Sequence, residues 1–325
     1  MGSPAHSAGT QMIFGDERWA GTHGIGRYAT EVLGRLSDIV EPLRLTGRPG
    51  SPLDLLRPRI LRRNSLIYSP GYNASPSNCQ QLVTVHDLIH LQSAGPQHRA
   101  YYETVLKRAI RRAGRVITVS KTSQRKIVEW LDSDRIEVVD CGNGLSETFR
   151  ASTQAAPSER GDHLLYVGNL KPHKNFHVLM EALRIDKTLE LIAVTPTPSL
   201  VSSIARSAEV GGRVRALSGL DDREMAALYR SARATVLPSE IEGFGLPALE
   251  SIGMGSPVIY WKGCESIAEI VDGNGWEVQD LRSPEAWAWT MSEARERNME
   301  FNPIEATHSY SWESVAQAVR QQLVK

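Results

Sequence analysis

The feature that most limits what this chain can fold into is an alternation. Short apolar runs are separated by longer amphipathic stretches, and the scheme occurs twice along 325 residues. In the first half LIYSP (66–70), QLVTVHD (81–87), RVITVS (115–120) and RIEVVD (135–140) read as buried strands, with helical patterns over 98–113 and 121–131. In the second half HLLYVGN (163–169), LELIAVT (189–195), RVRALSG (213–219), ATVLPS (234–239) and PVIYW (257–261) read as strands. Helical segments near 175–184, 199–208, 221–232, 246–254 and 284–298 separate them. Strand–helix alternation of this kind builds parallel sheets, so the expected class is α/β with two Rossmann-like parallel-sheet domains. The polar, Pro- and Gly-bearing stretch 146–162 reads as the linker. The expected domains are 12–150 and 163–307, preceded by a lead (1–11) with neither a basic nor an apolar signal region, which reads as a tag or disordered lead.

Composition narrows the partners. A chain of this length with 41% hydrophobic residues can bury two cores. No stretch approaches the ~20 apolar residues of a membrane span. Cys79, Cys141 and Cys264 are scattered without CxxC spacing, which points to reduced thiols in a cytoplasm and away from a disulfide framework or a zinc site. Net charge is zero but uneven: residues 1–150 hold 20 Lys+Arg against 14 Asp+Glu, and residues 151–325 hold 17 against 23. The basic clusters are RPRILRR (57–63) and KRAIRRAGR (107–115). Either they are solvated faces or they meet an anionic membrane surface or phosphate-bearing lipid. No aromatic-interleaved basic strand or DNA-binding motif is present, so nucleic acid is not an expected partner.

In parallel sheets, ligands bind outside the carboxyl ends of the strands. Chemistry-bearing residues should follow strands, and several do. ATVLPS runs into EGFGLPALE (242–250). Gly243 and Gly245 allow a sharp turn that exposes N–H groups, Pro247 suits the first helical position, and Glu250 is placed in the first turn. A carboxylate there can accept from both hydroxyls of a vicinal diol such as ribose. Glu242, before the glycines, sits nearer the reacting end of the same ligand. VTVHD ends on His86, and LLYVGN leads into LKPHKN with Lys174. A lysine just after a strand can neutralise charge building on a leaving phosphate. Gly24-Ile25-Gly26 precedes an amphipathic helix and reads as a second phosphate cradle, although a GxG alone is weak evidence. HDLIH also offers His86, Asp87 and His90 as metal ligands, but three such residues within five positions do not fix a zinc geometry, and no site metal is expected.

Taken in order, these segments resemble family 4 of the retaining glycosyltransferases, which have the GT-B fold. GTHGIGRYATEVLGRL (21–36) is similar to the family's glycine loop and first helix. LVTVHDLIHL (82–91) resembles its His-Asp segment, and RVITVSKTSQRKI (115–127) and GNG (142–144) occupy familiar places. YVGNLKPHKN (166–175) resembles the phosphate-binding segment, and LSGLDDREMAALYRSARATVLPS (217–239) the approach to the glutamates. EGFGLPALESIGMGSPVI resembles the signature itself, and YSWESVAQAV (310–319) the closing helix. The resemblance implies two domains facing a central cleft, with helix 308–325 packing back on the N-terminal, acceptor-side domain. It implies Lys174 on the donor diphosphate, Glu242 on the donor sugar and Glu250 on the ribose. Gly243, Phe244, Gly245 and Leu246 would offer backbone groups to sugar and phosphate, Leu220 the nucleobase contact, and His86 a place near donor sugar and acceptor. Asn169 stands where the family often has an arginine, which leaves Lys174, helix N–H groups and Arg27 to carry the phosphate charge.

The implied reaction moves a sugar from a nucleoside diphosphate to an acceptor hydroxyl with retained configuration, by same-face attack and without a metal or other cofactor. No residue is compelling as the nucleophile of a double displacement. The resemblance is greatest to bacterial enzymes of O-antigen and exopolysaccharide synthesis, so GDP-mannose is the preferred donor, and a glycan or polyprenyl-diphosphate-linked oligosaccharide the acceptor. The implied place is the cytoplasm, peripheral to the inner membrane face. Alternatives are a UDP- or dTDP-sugar donor, a nucleotide-sugar epimerase, and a protein that binds sugar nucleotides without catalysis.

Overall fold

The structure, a computed structural model, describes residues 11–22, 24–55, 58–62, 64–93, 95–152 and 160–325. It divides into two compact units. One takes the chain to Gly144 and returns for Trp312–Lys325; the other is Leu145–Ser311.

In the first unit β1 (Met12–Gly15), β2 (Val40–Pro42), β3 (Ser65–Ser69) and β4 (Gln80–Val83) form a parallel sheet in the order β2-β1-β3-β4. A parallel bridge from Thr84 to Ile117 links its edge to the pair β5 (Arg115–Thr118) and β6 (Glu137–Asp140). β3 is buried along its whole length, as a central parallel strand covered on both faces should be. Strand order reverses between β1 and β3, so the ligand-binding crevice of this sheet is expected at their carboxyl ends. The helix Ile25–Arg35 follows β1, and the chain's last helix, Trp312–Leu323, packs against it. Trp312 is buried edge-on to Tyr28, 6.0 Å between ring centroids, and Arg320 forks onto Asp38 at 2.6 and 2.8 Å. A Cβ on Gly144 would come within 2.5 Å of the Trp312 ring and 2.8 Å of its backbone nitrogen, which is why glycine stands there.

The second unit holds β7 (Leu164–Val167), β8 (Leu191–Val194), β9 (Val214–Leu217), β10 (Ala234–Leu237), β11 (Val258–Trp261) and β12 (Gly275–Val278). The order β12-β11-β10-β7-β8-β9 is parallel throughout. The chain steps outward from β7 to β9, then returns to β10 on the other side of β7. This is the dinucleotide-fold order, with its switch point between β7 and β10. Trp287, Leu179, Leu183 and Met291 fill the core beneath the helix Pro284–Glu296.

The strands read from the sequence are all present, trimmed at their ends. β1, β2 and β12 escaped that reading: β1 carries a glycine among its four residues, and β2 and β12 lie at sheet edges, where residues need not be apolar on both sides. The stretch 98–113 is one helical run interrupted by a π-turn over Tyr102–Leu106. The stretch read as linker begins with a helix, Glu147–Ser152, that packs on Asp222–Ser231 within the second unit. Phe149 anchors it, buried edge-on to Tyr229. Residues 153–159 of that stretch lie outside the described residues, as does most of the lead 1–11.

Candidate active site

The carboxyl ends of β7 and β10 bring two sequence-distant segments together. After β7 the chain passes through Gly168 and Asn169, and Tyr166 Oη donates to the Asn169 carbonyl at 2.6 Å. The Asn169 side chain accepts from Lys171 N–H, which fixes the loop locally. A short 3-10 turn, Pro172–Lys174, then ends on Asn175 in the left-handed region, φ 48°, and Asn175 Nδ2 donates to the Leu281 carbonyl. From the β10 side, Glu240 N–H donates to the His173 carbonyl at 2.8 Å. This stitch between the loops sets Lys174 beside Glu242.

Lys174 Nζ and Glu242 Oε1 form an ion pair in which the two side chains are only 13% and 14% exposed. Ser239 Oγ donates to the same carboxylate oxygen at 2.7 Å, and Ser266 Oγ donates to the Glu242 carbonyl at 3.0 Å. The carboxylate is thus held by a cation and a hydroxyl, and its backbone is tied to the helix Glu265–Val271. Burial, with the Glu242 charge second, pushes the neighbouring Cys264 thiol up to about 12, so it stays a neutral packing group.

Gly243, Phe244 and Gly245 are buried, and Phe244 lies edge-on to Tyr310 at 5.9 Å. Gly245 has φ 111°, a conformation that disfavours any side chain, and starts the helix Leu246–Gly253. The helix therefore begins one residue earlier than the proline signal implied. Pro247 is its second residue, and Glu250 falls past the first turn. Pro247 has no N–H, and the N–H groups of Ala248 and Leu249 donate back to the Gly245 carbonyl at 2.9 and 3.2 Å. The Glu250 side chain accepts from Tyr229 Oη at 2.9 Å. Leu220 follows Gly219, φ 71°, and precedes Asp221, whose side chain and Glu224 complete a capping box for the helix Asp222–Ser231.

The other candidates belong to the first unit. Gly24 and Gly26 do different things. Gly24, φ 55°, has open space around a would-be Cβ and turns the chain into the helix Ile25–Arg35. At Gly26 a Cβ would meet Gly21 Cα at 2.9 Å and the Trp19 carbonyl at 3.1 Å, so its smallness serves loop packing. Arg27 is buried and donates through Nε to the Thr22 carbonyl. His86 is buried just beyond β4. Its Nε2 lies 2.8 Å from the Pro70 carbonyl, which can only accept, so Nε2 carries the proton. Tyr28 packs edge-on at 4.8 Å. Burial holds the imidazole below its ordinary value despite the Pro70 bond and the Asp87 charge, leaving a neutral ring with Nδ1 as the acceptor. Asp87 accepts from Ile89 N–H, and His90 lies against Tyr72 and His98. The HDLIH residues thus point to three different local partners.

Sequence reasoning missed Tyr229, Ser239, Ser266 and the Pro70 carbonyl. Tyr229 lies one turn after Met225 and Ala226 on the apolar face of its helix, and a hydroxyl on that face was the available signal. Ser239 lies three residues before Glu242. The other two partners come from segments whose proximity only the fold supplies. Sequence reasoning also placed RPRILRR on the surface as a block. Arg59 is instead buried with Asp16, Arg18 and Asp54 beyond the carboxyl end of β1.

Sheets of this order, with a lysine and carboxylates at the switch point, define a doubly wound α/β class. Sucrose-phosphate synthase from Thermosynechococcus elongatus shares the architecture, with a TM-score of 0.64 over 96% of this chain and 98% of its own at 20% identity. The fold is GT-B. Residues 149–303 match the family Glycosyl transferases group 1, and the chain carries a glycosyltransferase group 1 domain. O-antigen chain mannosyltransferase RfbU of Salmonella typhimurium is 28% identical over 212 residues, 63% of this chain and 58% of that protein. D-inositol 3-phosphate glycosyltransferase of Frankia alni is 36% identical over 149 residues, 39% of this chain and 36% of that protein. Each of these two sequence matches spans less than two thirds of the relative. Among the described residues no helix is long and apolar enough to cross a membrane.

Proposed function

We propose that this chain is a retaining glycosyltransferase that moves mannose from GDP-mannose to a hydroxyl of a glycan or polyprenyl-diphosphate-linked oligosaccharide. The observation that carries the reading is the convergence of Lys174 and Glu242 at the β7/β10 switch point, with Glu250 on the helix that follows. In this reading Lys174 takes the diphosphate, Glu242 the sugar hydroxyls, and Glu250 the ribose diol. Backbone groups of Gly243 to Leu246, with Leu220 and Asn169, complete the donor site. The anomeric carbon–phosphate oxygen bond breaks and a bond to the acceptor oxygen forms on the same face. The acceptor proton passes to the departing phosphate oxygen. Lys174 stabilises the charge that develops there, so no metal ion is required. His86, neutral and oriented by Pro70, offers Nδ1 as a hydrogen-bond acceptor to a hydroxyl of donor or acceptor.

The mannosyl choice is supported by the name of the Salmonella relative. The Frankia relative is named for a different transfer, and UDP- and dTDP-sugars stay as the second reading. The reading places the enzyme in the cytoplasm. Arg62, Arg108 and Arg111 are exposed, as is Ile60 at 75%, and these support peripheral contact with an anionic membrane face. Titration with GDP, UDP, dTDP and ADP, followed by hydrolysis assays of the matching nucleotide sugars, tests the donor. Selective GDP binding with slow GDP-mannose hydrolysis is expected. Selective UDP binding overturns the mannosyl choice, and no nucleotide binding overturns the site. Absence of binding to anionic vesicles at low salt overturns the membrane contact.

A further inference from the structure

We infer that the Lys174–Glu242 ion pair is exchanged during the donor cycle and makes the site prefer an intact nucleotide sugar over the spent nucleoside diphosphate. This rests on the nucleotide-sugar reading above. Lys174 lies in the loop after β7, and its ammonium is already engaged by a carboxylate that is itself largely withdrawn from water. A diphosphate arriving there must draw Lys174 away from Glu242 and tolerate the carboxylate as a like-charged neighbour. An intact donor brings hydroxyls with the diphosphate. Glu242 can accept from them, and the lost lysine contact is replaced. Once the sugar has left, nothing on the product satisfies Glu242. The carboxylate then recaptures Lys174 and weakens the hold on the nucleoside diphosphate.

The geometry supplies the parts of such an exchange. Ser239 Oγ donates to the same Oε1 that meets Lys174, and Ser266 Oγ holds the backbone carbonyl, so Glu242 keeps its orientation when the lysine moves. Lys174 ends a short turn held by the Glu240–His173 and Asn175–Leu281 bonds. The side chain can therefore swing while the loop stays in place.

The test is calorimetric titration of GDP and GDP-mannose, with UDP and UDP-glucose as the alternate pair, into wild type, Glu242→Gln, Lys174→Ala and the double variant. Glutamine matches glutamate in shape and can still accept from Ser239, so folding is spared; circular dichroism and the melting temperature check this. The expected result is GDP binding about tenfold tighter in Glu242→Gln, a change of ~1.4 kcal/mol, with GDP-mannose no tighter than in wild type. In the Lys174→Ala background the same substitution should gain much less. Unchanged or weaker GDP binding in Glu242→Gln overturns the exchange, as does an equal gain without Lys174. If wild type binds none of the four ligands, the nucleotide-sugar reading itself fails.

Discussion

Tyr229→Phe isolates one oxygen. The tyrosine ring is fully buried against Phe149, and its hydroxyl donates to Glu250 Oε2 at 2.9 Å. Phenylalanine keeps the ring and removes only that donor. A hydrogen bond to a charged group is worth about 1.5–3 kcal/mol, but Glu250 is half-buried, so water recovers part of the loss. Stability should therefore fall by about 0.5–1.5 kcal/mol. If Glu250 is the ribose ligand, a carboxylate no longer aimed by Tyr229 costs more in binding than in folding. Nucleotide affinity should drop roughly five- to tenfold, or ~1–1.4 kcal/mol. Glu250→Ala, which removes the acceptor itself, should lose more. The readout that separates positioning from scaffolding is the ribose against 2′-deoxyribose preference, measured by calorimetry with GDP and 2′-deoxy-GDP. Wild type should prefer the ribose form, Tyr229→Phe should narrow the gap, and Glu250→Ala should erase it. A Tyr229→Phe protein that keeps the full preference refutes the positioning role. A Glu250→Ala protein that keeps it refutes the diol assignment.

Lys174→Ala should depress turnover by a factor on the order of a hundred or more, since it removes a charge placed for the developing leaving group; near-normal turnover with a full donor panel would move that role elsewhere. Asp16→Ala should destabilise the first unit by about 3–5 kcal/mol, because Asp16 is fully buried and its loss leaves Arg18 and Arg59 facing one carboxylate instead of two; denaturant midpoints within error of wild type would show that the network contributes little. Acid sensitivity follows from His86. Its folded value is depressed by burial below the ordinary 6.5, so as pH falls through 6.5 the unfolded chain takes up a proton that the folded one refuses. Stability should drop by up to about 1.4 kcal/mol per pH unit until the folded value is reached, then level. His163, also depressed by burial, adds to this slope. Urea unfolding of His86→Gln between pH 7.5 and 5 should show a shallower slope than wild type, and equal slopes would contradict the assignment.

Much of the fold could be read in advance because the strands that build both sheet centres are short, apolar and separated by whole helices. β3, β7 and β10 are buried on both faces, and such strands announce themselves as continuous apolar runs. The strands that stayed hidden are β1, with a glycine in its four residues, and β2 and β12, which lie at sheet edges. Their residues need not be apolar on both sides. The helix Glu147–Ser152 was hidden differently. One buried residue, Phe149, fixes it, and the surrounding polar residues give no period to detect.

Legibility at the site follows the same physics one level up. Lys174, Glu242 and Glu250 could be singled out because each lies beside backbone-special residues, Pro172, Gly243, Gly245 and Pro247, whose conformational demands are local and visible in sequence. Their partners could not, because Tyr229, Ser239 and Ser266 are ordinary residues whose meaning comes from the switch-point topology. Arg59 is the instructive case. As part of RPRILRR it reads as one more surface cation, yet it lies beyond β1 with one buried partner at Asp16, 43 residues away, and another at Asp54. Hydrogen bonds from Arg18 and Asn73 and the charges of both arginines outweigh burial and keep Asp16 below the ordinary carboxylate range. The cluster is therefore charged and balanced, and the arginine is committed to the fold. Because the cluster sets two arginines against two carboxylates, it leaves the basic excess of the first half unchanged; what it removes is Arg59 as a contact, so the membrane contact rests on exposed cations such as Arg62, Arg108 and Arg111.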